Sequence, residues 1–124
     1  MIKILLIFLG GGLGSLLRFQ FSVYFYRYSA IVFPLSTFCV NVIGCFLIGL
    51  FYAMSLKYTS GAGELRFFLI TGFCGGFTTF STFAYENITL LQEGNINVFI
   101  LYTLGSFIVS LLAVLAGINI LKLF

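Results

Sequence analysis

Four apolar runs, each about as long as a bilayer is thick, occupy nearly all of this 124-residue chain. Hydrophobic continuity places them at 4–26, 35–55, 65–91 and 96–121, and a spanning helix needs about 20 mainly apolar residues. Only 7% of the residues are charged, against roughly 25% in soluble domains, so the chain is built for lipid. In hydrocarbon each run must satisfy its own backbone polar groups, and helices do that. The expected fold is an all-α membrane protein: one four-helix domain over residues 1–124, multi-pass in the cell membrane.

The connections follow from the residues between the runs. Pro34, the only proline, suits the start of the second helix, where a missing N–H costs nothing. Arg27–Ser29 and Leu56–Glu64 read as loops and Gln92–Asn95 as a short turn. The N-terminal Met-Ile-Lys and its apolar run look like a signal peptide at first. The run continues through Gly10–Gly12 to Leu17 without a small-residue cleavage site, so it is read as a first span. Gly10, Gly11, Gly12 and Gly14 would let another helix approach closely.

Four spans put both termini on the side of the Leu56–Glu64 loop. Lys3, Lys57, Arg66 and Lys122 belong there and Arg27 to the other side. That leans toward cytoplasmic termini, but the margin of about two or three charges is small enough for either orientation to be populated. A bundle this thin encloses little of a pathway alone, so an oligomer is expected.

The third run carries the strongest functional signal. From Gly72 to Tyr85 it places adjacent glycines, four Ser/Thr hydroxyls and several phenylalanines inside a hydrophobic span. An interruption near Gly75–Thr79 is expected, and irregular backbone at membrane depth survives where it is buried or lines a polar cavity. If Gly75 to Thr78 is unwound, its carbonyls are hard oxygen ligands suited to Na⁺. Phe80 and Phe83 are three apart and share a helix face, with Phe73 and Phe77 extending the stripe. Such rings pack against neighbours by default, but their positive edges can also stabilise a small dehydrated anion without trapping it.

Other polar groups in the spans invite the same two readings. Asn41 either bonds across a helix interface or donates its amide N–H to an anion. Arg18 either snorkels or lines an entry vestibule, and Glu86 is either a helix-end polar group or a site residue. Tyr102, Ser106 and Ser110 recur every four residues, making one polar stripe on the last span. Histidine is absent, which removes His-based catalysis and His-ligated metals. Cys39, Cys45 and Cys74 lie in apolar segments and read as packing residues. The six basic residues are too scattered for a nucleic-acid face.

At these residues the chain resembles the Fluc family (also called CrcB), small fluoride channels of microbial membranes. The matching pieces are Gly11-Gly-Leu-Gly14 with Arg18-Phe19, then Thr37 and Asn41-Val-Ile-Gly44. The signature Thr71-Gly-Phe-Cys-Gly-Gly-Phe-Thr-Thr-Phe-Ser-Thr-Phe83 follows, with Glu86 after it, and the likeness covers essentially the whole chain. Leu13 interrupts the glycine run of the first span, a minor departure.

The resemblance implies a channel rather than an enzyme: an antiparallel, dual-topology homodimer with two fluoride pores that export the ion passively. It implies a structural Na⁺ at the dimer centre, held by the carbonyls of Gly75 and Thr78 from each subunit. Phe80 and Phe83 would be the pore rings, Asn41 the amide donor, and Ser81, Thr82 and Glu86 the polar track. Tyr102 and Ser106 match fourth-helix pore positions, and Arg18 would serve the vestibule. The implied partners are fluoride, the bilayer and a second copy. A proton-coupled drug exporter would need a membrane-centre carboxylate, for which Glu86 is the one candidate. A non-transporting subunit would leave the third run unexplained.

Overall fold

The computed structural model describes residues 1–28, 30–57 and 62–123. Ser29 and residues 58–61, most of the expected Leu56–Glu64 loop, lie outside the described residues. The described residues are helical and contain no strand. Four helices, Ile2–Arg27, Leu35–Lys57, Gly63–Gln92 and Ile96–Ile120, are long and apolar enough to cross a membrane, and the protein is a multi-pass membrane protein. Two expected loops are shorter than the sequence suggested. The first helix continues to Tyr28 and takes in Arg27, and the second continues to Lys57. A cation in a last turn faces the negative end of the helix dipole, so these residues favour helix over loop.

The third span changes character along its length. It starts as α-helix over Ala62–Arg66, widens into i→i+5 turns over Phe67–Cys74, and closes with one α-turn, Gly75–Phe77. This N-terminal half lies along the first helix on a glycine seam. A Cβ on Gly14 would collide with the Phe73 carbonyl oxygen, and one on Gly76 with the Gly11 carbonyl oxygen. The backbones therefore pack at a distance that no side chain permits.

Thr78 (φ −80°, ψ 158°) and Thr79 (φ −149°, ψ 126°) are extended. Helix then resumes over Phe80–Gln92, capped by the Thr79 hydroxyl, which accepts the Thr82 N–H at 3.3 Å. The unwinding expected from Gly75 onward is thereby corrected. Gly75 and Gly76 are helical, and Gly76 serves the close approach to the first helix.

The second helix packs on the fourth over its most extensive contact, through a second seam where a Cβ on Gly117 would meet the Phe46 carbonyl oxygen. The buried core is small: Val40, Cys74, Phe77, Leu90 and Tyr102 are its apolar members. Leu, Ile and Phe side chains cover much of the outside, as a lipid-facing surface requires. All three cysteines are free thiols. The Lys3 ammonium lies 5.2 Å from the Phe67 ring centroid and the Arg66 guanidinium 5.2 Å from that of Tyr52. The N-terminus, the end of the second helix and the start of the third span thus share one end of the bundle.

The turn into the fourth helix is a Schellman cap. Gly94 has φ 77°, its N–H reaches the Leu91 carbonyl at 3.1 Å, and the Asn95 N–H reaches the Leu90 carbonyl at 2.9 Å. Gly94→Ala is expected to cost about 1 kcal/mol because a Cβ is strained at positive φ. A lowered thermal-aggregation temperature in detergent is the readout; an unchanged one would contradict it.

Candidate functional site

The two extended threonines organise the polar groups around them. Asn41 meets Thr79 with both ends of its carboxamide: its N–H₂ donates to the Thr79 carbonyl at 3.0 Å, and its Oδ1 accepts the Thr79 N–H at 2.8 Å. This double bond pattern substitutes for the helical partners that Thr79 lacks. It also removes the N–H that would have bonded the Gly75 carbonyl four residues back, so that oxygen is left without its helical donor. The Thr78 hydroxyl returns to the Cys74 carbonyl at 2.9 Å, and the Arg18 guanidinium donates to the Thr78 carbonyl at 3.2 Å. The interface reading of Asn41 is satisfied by these bonds, and one amide hydrogen is left over for another acceptor.

A groove of about 570 Å³ opens between the second helix, the third span and the fourth helix. Its lining includes Asn41, Gly75, Thr78, Phe80, Phe83 and Ser106. Phe80 is 78% exposed into this open side, with its ring centroid 5.8 Å from that of Phe83. Ser106 is buried, and among the described residues its hydroxyl is the one buried side-chain polar atom with no hydrogen-bond partner. A satisfied interior would not leave such a group, so Ser106 is available to a ligand or water in the groove.

The phenylalanine stripe does not run as expected. Phe73 and Phe77 stack on each other with centroids 5.8 Å apart, and Phe77 meets Phe21 of the first helix edge-on at 5.7 Å. Two extended residues break the 3.6-residue period, so Phe80 and Phe83 turn to the groove while Phe77 stays buried.

Arg18, Thr82 and Glu86 lie on the far side of Thr79. Arg18 lines a hollow of about 260 Å³ with Ser22, Thr37, Thr79 and Thr82. An adjoining hollow of about 280 Å³ shares Ser22, Thr37 and Thr82 and reaches Glu86. Thr79 lines both the groove and the first hollow, and so forms part of the wall between them. The Glu86 carboxylate accepts from the Thr37 hydroxyl at 2.8 Å and from the Tyr102 hydroxyl at 2.7 Å. It is a half-buried bridging group rather than a helix-end residue. Tyr102 is itself fully buried, its ring 5.1 Å from that of Phe83. Ser81 and Thr82 are exposed and gather around the Thr79 hydroxyl, at 3.3 and 3.1 Å.

The described residues contain no group of three or more His, Cys, Asp or Glu able to hold a metal. A cation here would be held by backbone oxygens. The carbonyls of Gly75 and Thr78 are hard donors of the right kind, beside a glycine whose outer face is open. Two oxygens from one chain are too few for a hard cation alone.

A family model described as CrcB-like protein, Camphor Resistance (CrcB), matches residues 5–118. The chain belongs to the CrcB-like family. Among curated proteins similar to this CrcB-like chain is the fluoride-specific ion channel FluC of Azobacteroides pseudotrichonymphae genomovar. CFP2. It is 48% identical over 115 residues, covering 93% of this chain and 92% of that protein. A protein of the same description from Phocaeicola vulgatus is 45% identical over 116 residues, covering 94% and 95%. One from Rhizobium leguminosarum bv. trifolii is 42% identical over 122 residues, covering 98% of each. Those relatives are described as ion channels, a non-enzymatic activity.

Three further residues take part in the hydrogen bonds in and beside the site and were not among the candidate site residues. Thr79 is the partner of Asn41. Asn87 and Thr103 pair with each other at 2.7 Å, one residue beyond Glu86 and Tyr102. The rule that flagged Asn41, a carboxamide inside an apolar span, would also have flagged Asn87.

Proposed function

We propose that this chain is a fluoride-selective channel of the cell membrane that lets fluoride leave passively and so lowers its cytoplasmic level. The observation that carries the proposal is the groove, where Phe80, Phe83, the spare Asn41 hydrogen and the unpartnered Ser106 hydroxyl meet in one apolar cleft. Ring edges and neutral hydrogen-bond donors attract a small anion without a fixed cation that would hold it. The description of the relatives supplies the identity of the ion.

The groove is open on one side, and its mouth is lined by exposed Phe80, Phe107 and Leu111. A second copy would close it, giving a homodimer with two pores. The weak charge asymmetry between the ends supports dual topology and an antiparallel pair. In that dimer the Gly75 and Thr78 carbonyls of two subunits would offer four hard oxygens to a structural Na⁺ at the centre. The ion would give an electrostatic partner to the Gly75 carbonyl, which lacks its helical donor, and to the lone pair of the Thr78 carbonyl that Arg18 leaves free. Arg18 would draw anions into the vestibule, while Ser81, Thr82, Glu86, Tyr102 and Ser106 would carry the polar path beside the rings.

Fluoride and chloride efflux from proteoliposomes tests this reading. Fluoride should pass and chloride should not. Phe80→Ile and Phe83→Ile should each lower fluoride efflux about tenfold or more, since each 1.4 kcal/mol of lost stabilisation at the barrier is about tenfold in rate. Equal passage of the two halides, or undiminished flux in both variants, would remove the proposal.

A further inference from the structure

Phe80–Gln92 begins directly after two extended residues, so its covalent link to the rest of the span does not fix its rotation. Its orientation must come from side-chain contacts with the neighbouring helices, and on the second helix the Thr37 hydroxyl donates to Glu86 at 2.8 Å. Two polar rungs join it to the fourth helix. Tyr102 donates to Glu86 at 2.7 Å, and one residue further on each helix Thr103 donates to the Asn87 amide oxygen at 2.7 Å. The second rung has a further arm. The Asn87 N–H₂ donates to the carbonyl of Phe83 at 2.9 Å. Asn87 is buried, 7% exposed, and its carboxamide therefore links the backbone of Phe83 to the fourth helix through one planar group.

We infer that Asn87 and Thr103 are positioning residues that set where the Phe83 ring stands against Tyr102 and the groove. The inference rests on the channel reading above, in which that ring meets the ion. Neither residue lines the groove, and Thr103 bonds none of the groups assigned to the ion path. Their effect is exerted through Phe83. With the rung intact, the ring is held 5.1 Å from Tyr102. Without it, the Glu86 bonds to Tyr102 and Thr37 still hold the segment, but the Phe83 backbone loses its tie to the fourth helix and the ring edge shifts in the cleft.

Thr103→Val tests this, because it deletes the hydroxyl with little change of shape, while Thr103→Ser keeps the donor. Two readouts are taken on full-length protein. The first is the ¹⁹F NMR signal of 4-fluorophenylalanine placed at position 83, recorded in fluoride-free buffer. The second is the ratio of fluoride to chloride efflux from liposomes. Thr103→Val should shift or broaden the ring signal and lower the ratio about fivefold, and Thr103→Ser should restore both. A ring signal in Thr103→Val identical to that of the parent chain overturns the inference. So does a moved ring with an unchanged ratio. A parent chain that passes no fluoride would count against the channel reading itself, and the ring signal would still decide whether the rung holds Phe83.

Discussion

Asn41→Leu is expected to destabilise the protein by about 2–6 kcal/mol, because it strands two buried backbone groups at about 1–3 kcal/mol each. Thr79 is 8% exposed, and its N–H and C=O both end on the Asn41 carboxamide. Leucine keeps the branched shape, is somewhat larger, and offers neither a donor nor an acceptor. The extended link would then either fold back into helix or open to the groove, and in each case Phe80 and Phe83 lose their placement. Thermal aggregation in detergent should come at a markedly lower temperature, and fluoride efflux should fall with it. Asn41→Asp separates the two bonds, since a carboxylate accepts the Thr79 N–H and cannot donate to its carbonyl. It also buries a charge and sets a carboxylate oxygen against the Thr79 carbonyl, so it should be at least as destabilising as the leucine variant. A leucine variant as stable as the parent would mean that Thr79 finds other partners.

The second large effect is steric. Gly14→Val places a branched side chain where the Phe73 carbonyl oxygen already lies, with the Phe77 nitrogen 2.7 Å from even a bare Cβ. Both obstacles are backbone and cannot rotate aside, so the first helix must retreat from the third span. Overpacking of this kind costs about 1–3 kcal/mol and sometimes more, and a valine against backbone belongs at the upper end. The control is Gly12→Ala, where nothing lies within 4 Å of the new Cβ. It should leave stability unchanged or raise it by up to about 1 kcal/mol, since alanine favours a helix interior over glycine. Size-exclusion profiles and melting curves of the two variants separate the explanations. Equal losses would show that the close approach at Gly14 is not the cause.

The sequence was legible where the physics is local. Hydrocarbon forces each apolar run to satisfy its own backbone, so the four helices follow from length and composition. The concentration of glycine and hydroxyl groups in the third run marked the stretch where helical geometry lapses. Asn41, Glu86 and Tyr102 were conspicuous because polar groups in a span must find partners. Which partners they find was not legible. Asn41 bonds Thr79, which is 38 residues away, and Glu86 bridges Thr37 and Tyr102. No spacing rule connects those pairs. The adjacent glycines misled for a related reason: glycine weakens a helix on its own, but Gly76 stays helical because the first helix packs against it.

From the chain alone came the solvent it needs, the number of helices, and the residues too polar or too small to be idle in lipid. Only the tertiary structure decided that helical geometry stops at Thr78 and Thr79, that Phe77 and Phe80 face different ways, and that Asn87 and Thr103 brace the second half of the span. Periodicity fixes which residues share a face within one helix. Two extended residues reset that period, and the new angle is set by hydrogen bonds to other helices.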